Sequence, residues 1–113
     1  MRLVIIESPY AGDVETNVRY ARAAVADCLR RGEAPIASRL LYTQPGILND
    51  DIPAERALGI EAGLLWGAKA EATVVYTDLG LSGGMLQGIE RAQAEGRPVE
   101  GRTLPGWFDE VAE

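Results

Sequence analysis

Two glutamates and a glycine-bearing loop are the residues of this 113-residue chain best placed to do chemistry. Histidine is absent and Cys28 is the lone cysteine. A Ser-His-Asp triad, a Cys-His pair and a zinc hydrolase are thereby excluded. Catalysis has to come from carboxylates, hydroxyls, backbone donors or a hard metal ion. Glu61 falls among Ala57, Leu64 and Leu65 on the apolar side of an expected helix, where a carboxylate is either at an edge or kept for a purpose. Glu90 lies two turns into a later helix, with Gly88 leaving open space beside it, although most helix glutamates are simply solvated. Two carboxylates facing one cleft are the minimum set for glycosidic bond chemistry: one attacks or stabilises C1′ and the other handles a proton.

The run Thr77-Asp78-Leu79-Gly80-Leu81-Ser82-Gly83-Gly84 ends at a helix start. Free N–H groups and the positive dipole end there suit a phosphate or carboxylate, and Ser82 serves equally as a plain N-cap. The run lacks the Gly-Lys-Ser/Thr ending of a Walker A loop, and Ser8–Asp13 is not a GxGxxG loop. Asn49, Asp50 and Asp51 would suit magnesium, but an acidic cap ahead of Pro53 is the commoner use of such residues. No cofactor and no metal site is assigned.

These residues need a scaffold, and the apolar pattern supplies one. Leu3–Ile6 reads as a buried parallel strand, followed by the loop Ser8–Asp13. Asp13 caps a helix over Val14–Arg31, with Val14, Val18, Ala21, Val25 and Leu29 expected inward and Gly32 ending it. Ala34–Ser38 is a second strand, and Arg39–Asp51 a long loop of the kind that often carries function. Pro53 opens a helix to Ala68, Ala72–Tyr76 is a third strand, and Gly84–Glu95 a helix with Met85, Ile89 and Ala92 inward. Pro98–Thr103 is a weak fourth strand and Leu104–Glu113 a short tail.

Strands alternating with helices predict an α/β fold with right-handed crossovers. The expected form is a three-layer Rossmann- or flavodoxin-like open sheet of about four parallel strands, with helices on both faces, in a single domain over residues 1–113. Ligands of such sheets bind beyond the carboxyl ends of the strands, which here release the loops at 8–13, 39–51 and 77–84. Gly59, Gly63 and Gly67 form a smooth stripe on one helix, and three helical glycines ask for a close contact. That contact is either a helix of a second subunit or the domain's own sheet. Trp66 and Trp107 would join an interface or the core.

The totals narrow the partners. A formal charge of −6 argues against nucleic-acid phosphate while leaving a small anionic ligand open. No window approaches a membrane span, and the apolar start MRLVIIESPY is too short for a signal peptide, so a cytoplasmic location is expected.

Several of these runs carry a resemblance. Leu3–Ile6 followed by Ser8-Pro9-Tyr10, the Glu61 helix ahead of Thr73–Tyr76, and Gly84-Met85-Leu86-Gln87-Gly88-Ile89-Glu90-Arg91-Ala92 resemble the nucleoside 2-deoxyribosyltransferase-like superfamily. The closer likeness is to its small phage- and bacteria-borne branch, to which Tyr42-Thr43-Gln44-Pro45-Gly46 and Tyr76-Thr77-Asp78-Leu79-Gly80 are also similar. The resemblance implies cleavage or transfer of the N-glycosidic bond of deoxynucleosides or their 5′-monophosphates. By it, Glu90 is the nucleophile at C1′, and Glu61 or Asp78 holds the proton for the leaving base, with Tyr10 or solvent as substitutes. Ser8, Tyr10 and Gly12 meet the sugar or phosphate, and Ser82 and Gly83, with Gly84 and Met85 alongside, hold the 5′ end. It also implies a homodimer or larger homo-oligomer. The chain departs from the pattern in having Glu61 where an aspartate is usual and a first loop reduced to Ala11-Gly12. Those departures keep two further readings open: a non-catalytic protein of the same fold that sequesters or senses a nucleotide, and a structural subunit.

Overall fold

The computed structural model describes residues 1–108. Apolar, partly β-branched runs form β1 (Arg2–Glu7) and β3 (Ala72–Tyr76), flanked by β2 (Glu33–Ile36) and β4 (Val99–Arg102). The four strands make one sheet in the order β2-β1-β3-β4, and every neighbouring pair is parallel. The register sets Ile5 beside Ile36 on one side and beside Thr73 on the other.

Helices α1 (Val14–Arg30), α2 (Ser38–Tyr42), α3 (Pro53–Gly67) and α4 (Gly83–Ala94) fill the connections. Side-chain alternation along the strands sorts them between the faces. Val4, Ile6, Val74 and Tyr76 face α1 and close the main core with Tyr20, Ala24, Cys28, Leu104 and Trp107. Ile5, Glu7 and Thr73 point the other way, where α3 and α4 pack. The fold is thus a doubly wound α/β sheet. Its strand order turns back between β1 and β3, and a cleft opens beyond their carboxyl ends.

Most local signals act as their chemistry dictates. Asp13 accepts from the Thr16 N–H at 3.2 Å, Pro53 opens α3, and Ser82 accepts from the Met85 N–H at 3.3 Å. Gly32 ends α1 at φ +78°, a conformation that side chains rarely adopt.

Two expectations need correction, and one open alternative is decided. The segment expected as a loop from Arg39 holds the short helix α2, too brief for any periodicity to reveal. The inward face of α1 is Tyr20, Ala21, Ala24 and Cys28, while Val14 and Leu29 are exposed. Tyr20 and Cys28 win those positions because their polar ends find partners there, half-buried Asp78 and buried Tyr76. The glycine stripe of α3 faces its own chain: a Cβ on Gly59 would meet Leu48, one on Gly63 Ser38, and one on Gly67 Arg97 and Ile5.

A charged network ties the strands together. Arg102 donates to Glu33 at 2.7 and 2.8 Å, and Arg2 bridges Glu33 and Glu100 at 2.8 and 2.7 Å. These guanidinium partners hold the Glu33 carboxyl down at about 2 despite its burial.

Candidate functional site

The cleft, of about 150 Å³, is assembled by four elements. β1 delivers Glu7 and Ser8 at its carboxyl end, with Tyr10 just beyond. α2 adds Ser38 and Arg39, α3 adds Arg56, Ile60 and Leu64, and α4 adds its first turn, Ser82 to Met85, together with Gly88.

Each polar group has a local reason to be there. Buried Asn17 donates to the carbonyls of Tyr10 and Ala11 at 2.9 and 3.0 Å, fixing the turn that presents Tyr10. Arg39 donates from one nitrogen to both oxygens of Asp50 at 3.1 and 3.2 Å, and its guanidinium lies 5.5 Å from the centre of the Tyr10 ring. Its other terminal nitrogen faces α4, 3.9 Å from where a Cβ on Gly84 would stand. Ser82 spends its hydroxyl and carbonyl on the Met85 and Leu86 N–H groups, so the N–H groups of Gly83 and Gly84 remain for a ligand. Ser8, only 6% exposed, turns a hydroxyl without a protein partner among the described residues toward this space.

Among the described residues, Glu7 is the one carboxylate lining the cleft. No hydrogen bond joins it to another described residue. Burial therefore dominates and pushes its carboxyl up to about 8, against the opposing pull of Arg39 and Arg97. A carboxyl that straddles its two protonation states near neutral pH can donate a hydrogen bond when neutral and attack an electrophilic carbon when ionised.

The acidic residues singled out by the sequence lie elsewhere. Glu61 and Glu90 are exposed, on helix faces turned away from the cleft. Glycines rather than Glu61 occupy the inward side of α3, and Gly88 rather than Glu90 faces inward on α4. Asp78 belongs to the opposite layer. It accepts from the Tyr20 hydroxyl at 2.7 Å and the Leu104 N–H at 2.8 Å, tying β3 to α1 and the segment after β4. Asp50 is engaged by Arg39. Ser8, Tyr10, Ser82, Gly83, Gly84 and Met85 come together in the cleft; Gly12 is exposed at φ +97° and lies outside its lining. Sequence reasoning missed Glu7, Arg39 and Arg56. A glutamate closing the run Leu-Val-Ile-Ile, at the end of a buried strand, was the available signal for the first. α2 brings Arg39 into place, and nothing in the local pattern announces it.

An open parallel sheet with a polar cleft at its switch point defines a Rossmann-like α/β protein, and solved structures match that description. The structure of the 2-deoxyribosyltransferase from the psychrotolerant bacterium Bacillus psychrosaccharolyticus superposes with a TM-score of 0.70 at 15% identity, covering 89% of this chain and 72% of the other. At that identity the likeness is one of fold. Over residues 2–102 the chain matches the family described as "Domain of unknown function (DUF7768)", and it belongs to that family. A search of curated proteins gives no match. Among the described residues, no helix is long and apolar enough to cross a membrane.

Proposed function

We propose that the cleft binds a nucleoside or its 5′-monophosphate and that Glu7, in the role the family resemblance gave to Glu90, acts on the N-glycosidic bond at C1′. The observation that carries this reading is a single partly buried glutamate sharing a small cleft with an anion-binding end. At that end the Gly83 and Gly84 N–H groups, Arg39 and Arg56 suit a 5′-phosphate, and Ser8 and Tyr10 suit the sugar.

In the reaction, the ionised Glu7 carboxylate bonds to C1′ as the C1′–N bond breaks and its electron pair leaves with the base. The base takes its proton from solvent at the open mouth. Water then attacks C1′ and frees Glu7, or a second base does so in a transfer. With the carboxyl near 8, about one molecule in ten carries the nucleophilic anion at pH 7, so turnover rises with pH until that value is passed.

Incubation with deoxynucleosides and deoxynucleoside monophosphates, with free base read by chromatography, tests the proposal. Base release that disappears in Glu7→Gln supports it. One observation favours the second reading, a nucleotide-binding protein without catalysis: among the described residues, no second carboxylate stands in the cleft to serve as proton donor. Ligand-induced stabilisation of both wild type and Glu7→Gln, with no base released by either, would establish that reading.

A homo-oligomer belongs to the proposal as well. Exposed Leu58, Leu65 and Trp66 on α3, rather than the glycine stripe, provide its surface, and sedimentation analysis tests it.

A further inference from the structure

We infer that Gly88 is the positioning residue of the site: the space left by its missing side chain is the seat of the Glu7 carboxylate. The inference rests on the reading of Glu7 as the working group. A Cβ built on Gly88 would overlap the Glu7 carboxyl carbon and both of its oxygens, the more distant oxygen, Oε1, standing 2.7 Å away. No other glycine among the described residues meets a carboxylate in this way.

Gly88 lies in the middle of a twelve-residue helix, where glycine is about 1 kcal/mol less favourable than alanine. Its φ is not positive, so the backbone does not require glycine. The requirement is for room. The strand supplies the carboxylate and the helix supplies the hollow, so the acid is held against α4 by steric fit rather than by hydrogen bonds. Arg39 from α2 and Arg97 from the turn after α4 are the charged groups acting on it. Arg97 is itself anchored, donating to Thr73 at 3.0 Å and Glu95 at 2.7 Å. Filling the hollow therefore displaces the flexible end of Glu7, toward the cleft mouth and water, while leaving α4 intact.

The test is Gly88→Ala, read in two independent ways. Titration of the Glu7 Cδ resonance by carbon NMR, assigned with Glu7→Gln, reports where the carboxyl sits. The wild-type midpoint is expected near 8 and that of Gly88→Ala several pH units lower, toward 4.5. Affinity for 2′-deoxyribose 5-phosphate and deoxyadenosine monophosphate reports function, and a loss of tenfold or more is expected, with the melting temperature unchanged or higher. In the double variant Glu7→Ala with Gly88→Asp, the helix brings a carboxylate to the same hollow and part of the affinity returns.

A wild-type midpoint near 4.5, or a Gly88→Ala midpoint that stays near 8, overturns the inference. If the midpoint moves but wild type binds neither probe, the seat is as inferred and the nucleotide reading fails. If wild type binds both probes and the midpoint does not move, the reading stands and the role of Gly88 falls. Should Gly88→Ala unfold, Gly88→Ala in a Glu7→Ala background decides the matter: a folded double variant shows that the clash was with the Glu7 side chain, and an unfolded one refutes it.

Discussion

Replacing Glu7 by glutamine should make the protein more stable, and increasingly so as the pH rises. Glu7 is an acid whose folded-state value lies near 8, above the 4.5 it has when exposed. Between those values the unfolded chain has released the proton and the folded chain still holds it. Folding stability therefore falls as pH rises from about 4.5 to 8 and levels off above. At about 1.36 kcal/mol per pH unit, the full penalty is about 5 kcal/mol, reached near pH 9, with about 3 kcal/mol present at pH 7 and about 1 kcal/mol at pH 5. Glutamine keeps the shape and carries no charge, so Glu7→Gln escapes the penalty. Urea unfolding of both proteins at pH 5, 7 and 9 measures the difference, which cancels the titration of all other groups. A stability gap widening by about 4 kcal/mol from pH 5 to 9 is expected. A gap that stays constant would refute the claim that the Glu7 carboxyl is held away from water, and with it the physical basis of the site.

The other predictions concern the groups around it. Arg39→Gln should weaken binding of deoxyadenosine monophosphate by about ten- to a hundredfold, the value of a charge-assisted hydrogen bond, as isothermal titration would show; an equal loss of affinity in Asp50→Asn would point to folding of the loop instead. Glu61→Gln and Glu90→Gln should leave base release unchanged within twofold, because neither side chain reaches the cleft; a large loss in Glu90→Gln would restore the assignment drawn from the family likeness. Gly63→Ala should destabilise by about 1–3 kcal/mol in denaturant titrations, since its Cβ would stand 2.5 Å from Ser38 Oγ and 2.9 Å from Ser38 Cβ at the contact of α2 with α3. Glu33→Gln should cost about 3 kcal/mol at pH 7 by leaving Arg102 short of its partner. Because the Glu33 value is depressed to about 2, the contribution is present above 4.5 and fades as pH falls toward 2, so wild type and variant converge there.

Much of the fold was legible because it rests on local chemistry. β3 occupies Ala72–Tyr76 as its β-branched run indicates, and Asp13, Pro53 and Ser82 open their helices. Helix faces were harder to read. The hydrophobic spacing of α1 selects Val14, Val18, Ala21, Val25 and Leu29; Ala21 is buried and Val25 packs against the core, yet Val14 and Leu29 are exposed and the buried face carries Tyr20 and Cys28. Only the partners Asp78 and Tyr76, 58 and 48 residues further on, make those polar ends tolerable inside. α3 misled for a related reason: it is apolar nearly all round, and glycine faces inward while leucine and tryptophan face out. The hydroxyl and glycine residues of the cleft were legible from loops leaving strand ends. The carboxylate that lines the cleft was not, since Glu7 looks like the last residue of a strand until α4 is packed against it.

Glu7 joins these observations into one physical picture. An unpaired carboxyl under two helices is costly, as is a glycine in the middle of α4, and a fold selected for stability alone would keep neither. The two costs share one site and explain each other. Gly88 leaves the room that the β1 carboxylate occupies, and burial there lifts the carboxyl to a value useful near neutral pH. Gly88→Ala should leave the protein as stable or more so while weakening ligand binding tenfold or more, and Glu7→Gln should strengthen it while ending base release. Stability gained together with function lost, in both variants and not in Glu61→Gln or Glu90→Gln, is the signature that separates a working site from an accident of packing.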